Sequence, residues 1–143
     1  MKLVIASDHG GYNIKEAIKA ALAADGHTVL DLGTDNDTDS VDYPVFAKAL
    51  CKVITDGEAE LGILCCGTGI GMSMTANKQK GIRAAVLSDA YSARLTRNHN
   101  NANVLCLGGR VVDNDKAVEL ARIFVEAEFE GGRHQRRIDM LEA

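Results

Sequence analysis

LGILCCGTGIGMSM, residues 61–74, sets an apolar run against three alternating glycines, Gly67, Gly69 and Gly71, and the reading of that junction decides the fold. A buried strand over 61–66 that turns through glycines into a helix over 70–78 brings three things to one point: backbone N–H groups, the positive end of a helix dipole, and a single reactive side chain.

The same pattern repeats outward in both directions. KLVIAS (2–7) reads as a buried strand ending at Asp8-His9-Gly10-Gly11, and Ile14, Ala17, Ile18, Ala21 and Leu22 then fall at helical spacing up to a stop at Gly26. TVLDL (28–32) is a second strand, 33–42 a polar loop, and Pro44 opens a helix whose apolar positions continue over 45–54. Beyond the glycine turn, RAAVL (83–87) is a fourth strand, and Ser88 or Asp89 caps a helix running to about His99. VLCL (104–107) is a fifth strand closed by Gly108-Gly109-Arg110, and 113–128 is the longest helix. Five alternations with near-continuously apolar strands predict a doubly wound, three-layer α/β/α domain around a five-stranded parallel sheet, Rossmann-like in layout. In such a domain ligands sit beyond the carboxyl ends of the strands. Asp8-His9, Cys66-Gly67-Thr68, Ser88-Asp89 and Gly108-Gly109-Arg110 all follow strands, so they are expected to converge there. One domain is expected over 1–143, with 130–143 a short basic helical extension.

Composition narrows the function classes. At 143 residues with 46% apolar and 25% charged side chains, the chain has the make-up of a soluble globular domain able to build one real core. A net charge of −4 argues against nucleic-acid or anionic-membrane partners. The apolar run near the N-terminus is too short for a signal core or a membrane span, and a cytoplasmic location is expected. The four cysteines show no C-x-x-C spacing, and neighbours on a strand face opposite ways, so they read as reduced thiols rather than a zinc or disulfide framework. Against this mildly acidic background, Arg133-His134-Gln135-Arg136-Arg137 suggests a small anionic ligand.

The better-known glycine loops are excluded one by one. A dinucleotide fingerprint starting at Gly67 needs glycine at 72, a Walker loop needs G-K-[ST], and a cysteine-phosphatase loop needs arginine at 72; the chain has Met72. What remains is a turn whose glycines let a ligand approach the backbone and aim N–H groups at an anion, with a plain strand-to-helix turn as the bland alternative. Cys66 adjoins that loop at the foot of the helix, placed to act as base or nucleophile. Cys51, Cys65 and Cys106 read as core residues. His9 and His99 have polar neighbours, and Arg133 and Arg137, one helical turn apart, can face one phosphate or simply form a solvated basic face.

Taken together, SDHGGY at 7–12, DYP at 42–44, CGTGIGMSMTANK at 66–78, GIRA at 81–84, RNHNNANVL at 97–105, LGGR at 107–110 and EGGRHQRR at 130–137 closely resemble the ribose-5-phosphate isomerase B family, which includes allose- and galactose-6-phosphate isomerases. The resemblance covers essentially the whole chain. It implies an aldose–ketose isomerase that opens the furanose of ribose 5-phosphate and moves a proton between C2 and C1 through a cis-enediolate, with no metal or organic cofactor. It implies Cys66 as the base, His99 as the group assisting ring opening, and Thr68 and Asp8 as polar residues at the same end of the sugar. The N–H groups of Gly67, Gly69, Ile70 and Gly71 match the hole for the enediolate oxygen. Tyr43 and Asn100 match sugar contacts, and Arg133, Arg137, His9 and Arg110 a clamp for phosphate and hydroxyls. One branch of the family uses a glutamate just after the glycine loop as base; Met72 stands there, which places the chain in the cysteine branch. Family members form homodimers or homotetramers with active sites shared between subunits. The alternatives are a six-carbon sugar-phosphate isomerase on the same scaffold, a non-catalytic nucleotide-binding module, and a thiol-phosphate hydrolase, the last disfavoured by Met72.

Overall fold

Strand β1 (Lys2–Ser7) lies between β2 (Thr28–Asp31) and β3 (Leu61–Cys66); β5 (Val104–Gly108) follows β3, and β4 (Ala84–Val86) closes the far edge, so the order is β2-β1-β3-β5-β4 with every pair parallel. This arrangement is that of a computed structural model describing residues 1–143. The predicted sheet is present, and its strand order reverses between β1 and β3, the place where such sheets open a crevice.

Period-two alternation decides which helix each strand residue meets. Leu3, Ile5, Leu61, Ile63, Cys65, Leu105 and Leu107 face one side, packing on α1 (Tyr12–Ala24), α4 (Ala90–Asn98) and α5 (Asn114–Glu126). Val4, Ala6, Leu64, Cys66, Val104 and Cys106 face the other, against α2 (Tyr43–Thr55) and α3 (Ile70–Asn77). Each fully buried leucine or isoleucine in these layers contributes roughly 1.5–3 kcal/mol by leaving water. The edge strands differ from the expected continuous burial: Leu30 in β2 and Val86 in β4 are exposed, because an edge strand has one neighbour and less helix over it.

The element ends follow their local chemistry. Asp89 and Asp113 accept the N–H groups of Ser92 and Lys116 and cap α4 and α5, and Pro44 stands in the first turn of α2. Lys15 is a surprise on the apolar face of α1. It is 1% exposed, and its ammonium donates to both oxygens of Asp31 at 2.9 and 2.7 Å, with Lys19 adding 2.8 Å to the same carboxylate. Burial alone pushes the Asp31 carboxyl up; hydrogen bonds from Lys15, Lys19 and the Gly33 amide outweigh it and hold it below the usual carboxylate range. No helix is long and apolar enough to cross a membrane.

The C-terminal segment forms a final helix, α6 (Arg133–Glu142), whose buried side is His134 and Ile138, one turn apart. An Arg83–Glu142 ion pair of 2.7 Å helps hold it beside the start of β4.

Candidate active site

Three loops meet at the carboxyl end of the sheet: residues 8–11 after β1, 67–69 after β3 and 109–110 after β5. The chain ties them by its backbone, Asp8 N–H donating to the Cys65 carbonyl at 3.2 Å, Gly109 N–H to Cys66 at 2.8 Å and Arg110 N–H to Gly67 at 2.9 Å. Approach this close requires glycine at position 109, where a Cβ would run into the Gly10 carbonyl oxygen.

Cys66 ends β3 at the foot of α3, and its Sγ accepts the Gly69 N–H at 3.1 Å. Gly69 has φ +80°, so the left-handed turn that aims this amide back at the sulfur is one glycine adopts freely. The N–H groups of Gly67 and Thr68, ahead of the helix, and of Gly71, in its first turn, have no acceptor within the chain. Thr68 is exposed, and its Oγ1 accepts the Ile70 N–H at 3.2 Å, leaving the hydroxyl proton free to donate. The Tyr43 ring, at the first position of α2, lies where a Cβ on Gly71 would be, 2.6 Å from its Cε1. The Arg110 guanidinium covers Gly67, its Nη1 2.9 Å from the corresponding Cβ position. Burial pushes the Cys51 thiol up to about 11 and raises Cys65 and Cys106 as well, in keeping with their reading as core residues.

Asp8 and His9 complete this end. One carboxylate oxygen of Asp8, Oδ1, accepts the Gly10 and Gly11 N–H groups at 2.9 and 3.1 Å, fixing the turn that presents His9. The Nδ1 of His9 accepts the Val41 N–H at 3.2 Å. A backbone amide can only donate, so Nδ1 is unprotonated in this contact and Nε2 carries the ring's donor.

The remaining predicted residues sit elsewhere. α4 runs back from the carboxyl end of β4, so His99 and Asn100 lie by the amino ends of β4 and β5, where Gly62 N–H donates to Asn103 and the Arg83 side chain to the Asn101 carbonyl. Cys66, paired with Gly108, stands four ladder steps above Gly62, paired with Val104; at about 3.3 Å per residue the two levels are about 13 Å apart. Arg137 lines a cavity of ≈ 650 Å³ with His99, Asn100, His134 and Arg83, and Arg133 is exposed on the first turn of the same helix. The expected grouping of His9 and Arg110 with Arg133 and Arg137 is therefore not made inside one chain: the first two stand at the carboxyl end, the second two at the amino end. The cause is topological, since every helix that follows a strand returns the chain to the opposite end.

His99 and His134 stack with ring centroids 4.2 Å apart and planes 10° from parallel, and the Nε2 of each lies 3.6 Å from Oε1 of Glu130. These three ligand atoms lie within 4.8 Å of one another, the one such cluster in the chain that could be read as a metal site. Stacked rings send their lone pairs out side by side, however, whereas a metal about 2.1 Å from two imidazole nitrogens needs those axes to converge. The sequence alone does not mark Glu130 and His134 as site residues; the signal it offers is their i, i+4 spacing beside Arg133 and Arg137.

A family model described as Ribose/Galactose Isomerase matches residues 3–141. The chain is 49% identical to the Putative sugar phosphate isomerase YwlF of Bacillus subtilis, over 99% of this chain and 95% of that one. Among solved structures it is similar to Clostridium thermocellum Ribose-5-Phosphate Isomerase B, with a TM-score of 0.96 and 47% identity, covering 99% of this chain and 95% of that one. It is also similar to Ribose-5-phosphate Isomerase B from Mycoplasma genitalium with bound Ribulose-5-phosphate, with a TM-score of 0.93 and 44% identity, covering 99% and 93%.

Proposed function

Because the chain belongs to the ribose/galactose isomerase family, we propose that it interconverts ribose 5-phosphate and ribulose 5-phosphate with Cys66 as the base. In the open-chain aldose, Sγ takes the C2 proton and the electron pair moves through a C1–C2 double bond onto the C1 oxygen as an enediolate; the hydroxyl proton passes from the C2 oxygen to the C1 oxygen, and the carbon-bound proton returns to C1 as the C2 carbonyl forms. No electrons enter or leave, and the reaction is drawn without a metal or organic cofactor. The observation that carries the reading is the Gly69 N–H donating to Sγ beside the unpaired amides of Gly67, Thr68 and Gly71. Charge develops on oxygen when the proton leaves carbon, and amides fixed beforehand cost no reorganisation at that moment; losing one such donor typically costs ~10²–10³ in rate.

In this reading Asp8 orients rather than reacts, since its Oδ1 is occupied by two amides, and His9 offers Nε2–H as a donor. Thr68 presents its hydroxyl to the sugar, Tyr43 walls the site, and Arg110 contributes positive charge. His99, Asn100, Arg133 and Arg137 lie too far from Cys66 to join it within one chain, so they enter the site as residues of a partner subunit in a homodimer or homotetramer. An apolar patch supports a second copy at this end: Ile70 is 48% and Met74 64% exposed, one helical turn apart on α3, and the exposed Val86 side chain reaches within 3.1 Å of the Gly69 Cβ position. We place the enzyme in the cytoplasm as a single domain with 130–143 as its basic extension.

The preference for five carbons follows the Mycoplasma genitalium relative and its ribulose-5-phosphate; a six-carbon sugar phosphate is the second reading, favoured by the galactose in the family description. Turnover of ribose 5-phosphate measured beside allose 6-phosphate decides between them. Cys66→Ala is expected to lose at least ~10²-fold in turnover while still binding substrate. Full activity in that variant removes the thiol from the mechanism.

A further inference from the structure

The His99–Glu130–His134 cluster has a geometry that the proposed reaction does not yet use. His134 is 6% exposed, and its Nε2 is buried with no hydrogen-bond partner. The polar atom in contact with it is Oε1 of Glu130 at 3.6 Å, and the same oxygen lies 3.6 Å from His99 Nε2. One carboxylate thus serves two parallel imidazoles. Hydrogen bonds hold the three residues together within one chain: Glu130 N–H donates to the Asn98 carbonyl at 3.0 Å, the Asn98 side chain to the Glu128 carbonyl at 2.6 Å, and His134 N–H to the Gly131 carbonyl at 3.2 Å. The cluster is therefore set before any partner arrives.

We propose that Glu130 and His134 are positioning residues for His99, the stack fixing the plane of its ring and the shared carboxylate oxygen steadying the proton that His99 exchanges with the sugar during ring opening. This rests on the isomerase reading given above. In ring opening the anomeric hydroxyl loses its proton, the bond from C1 to the ring oxygen breaks with its electron pair going to that oxygen, the oxygen takes a proton, and C1 becomes a carbonyl. An imidazole that passes one proton between these two oxygens must stay in the plane that reaches both. Stacked imidazoles 4.2 Å apart also resist carrying two protons at once. The charged and titratable groups facing His134 are His99 from α4, Glu130 from the preceding loop, and Arg133 and Arg137 from α6 itself; burial, His99 and the arginines hold His134 below the usual histidine range, outweighing Glu130. His99 is the more exposed ring of the two and the one a sugar can reach.

The test separates ring opening from enolisation. Ribose 5-phosphate must be opened before it reacts, whereas ribulose 5-phosphate, its C5 oxygen esterified, is already acyclic and exchanges a C1 hydrogen with solvent through the enediolate alone. Turnover of ribose 5-phosphate and incorporation of deuterium from D₂O into C1 of ribulose 5-phosphate are measured for wild type, Glu130→Gln, His134→Ala and His134→Phe. Turnover is expected to fall at least ~10-fold in Glu130→Gln and His134→Ala with exchange kept within about twofold, and His134→Phe, which restores a flat ring, is expected to recover part of the loss. Turnover and exchange falling together, or neither falling, overturns the proposal. A wild type that neither turns over nor exchanges overturns the isomerase reading itself, a distinct result.

Discussion

Mixing two dead variants should produce a live enzyme. In each chain Cys66 ends β3 while His99 lies by the amino ends of β4 and β5, the end of the sheet marked by Gly62, about 13 Å below Cys66 along the strand direction, so the proposed site takes Cys66 from one subunit and His99 from the other. A two-fold dimer holds two such sites. When a Cys66→Ala chain pairs with a His99→Asn chain, one site receives both substitutions and the other receives neither. A tandem-purified heterodimer carrying two different affinity tags should therefore show about half of wild-type turnover per dimer, and a statistically mixed sample, in which half the dimers are heterodimers, about a quarter. Each parent alone should be lower by at least ~10²-fold. The assay is ribose 5-phosphate turnover on the purified mixed species, with mass spectrometry confirming one chain of each kind. Activity no greater than the mean of the two parents refutes the argument, because it means that both residues act within one chain or that one of them is dispensable.

Four further outcomes follow from the packing. Asp31→Asn removes the partner of a buried ammonium, which should cost about 3 kcal/mol at neutral pH, whereas Lys15→Met, which fills the same space without a charge, should be nearly neutral; urea unfolding of both variants tests the asymmetry. The folded-state pKa of Asp31 is depressed, so its contribution is present above the ordinary carboxylate range near 4 and is lost as pH falls through the lower folded value; wild type should lose that increment on acidification and Asp31→Asn should not. Gly11→Ala drives a methyl into the Cys65 backbone carbonyl and to 2.7 Å from the Cys65 Cβ, and should lower stability by about 1–3 kcal/mol by the same unfolding assay; an unchanged midpoint sinks the packing claim. Iodoacetamide near pH 7.5 should alkylate Cys66 first and abolish activity, with ribose 5-phosphate protecting, since burial raises the other three thiols; peptide mapping that finds label at Cys51 before Cys66 contradicts this.

Much of the fold is legible in the sequence because it depends on local repeats. Apolar runs of strand length, helical spacing between them, and glycine, proline and aspartate at the joints suffice for five parallel strands and their helices, and the alternation of Cys65 and Cys66 onto opposite faces follows from strand geometry alone. The glycine turn and its thiol are legible for the same reason, being contiguous in the chain. What escapes is set by relations between distant segments. Lys15 sits among apolar helix positions as an ordinary polar interruption, and only the meeting of α1 with the end of β2 shows Asp31 waiting for it. Val41 N–H on His9 joins two loops 32 residues apart, which no spacing rule anticipates. The basic tail reads as an anion clamp from composition, but the company kept by His134 depends on α6 folding back beside the end of α4. His99 is an intermediate case, because a strand–helix–strand alternation already sends the end of each helix to the opposite end of the sheet.

The two adjacent cysteines of β3 make the chemistry hostage to parity. Inserting or deleting one residue between positions 61 and 65 would leave the ladder able to form, the two strand faces comparably oily and the glycine turn intact, yet the thiol now against the α2 and α3 face would swing beneath α1 and α5. Length changes of one residue belong in the exposed stretch 37–40; along β3 only pairs of residues preserve which sulfur lies on the α2 and α3 face beneath the glycine turn.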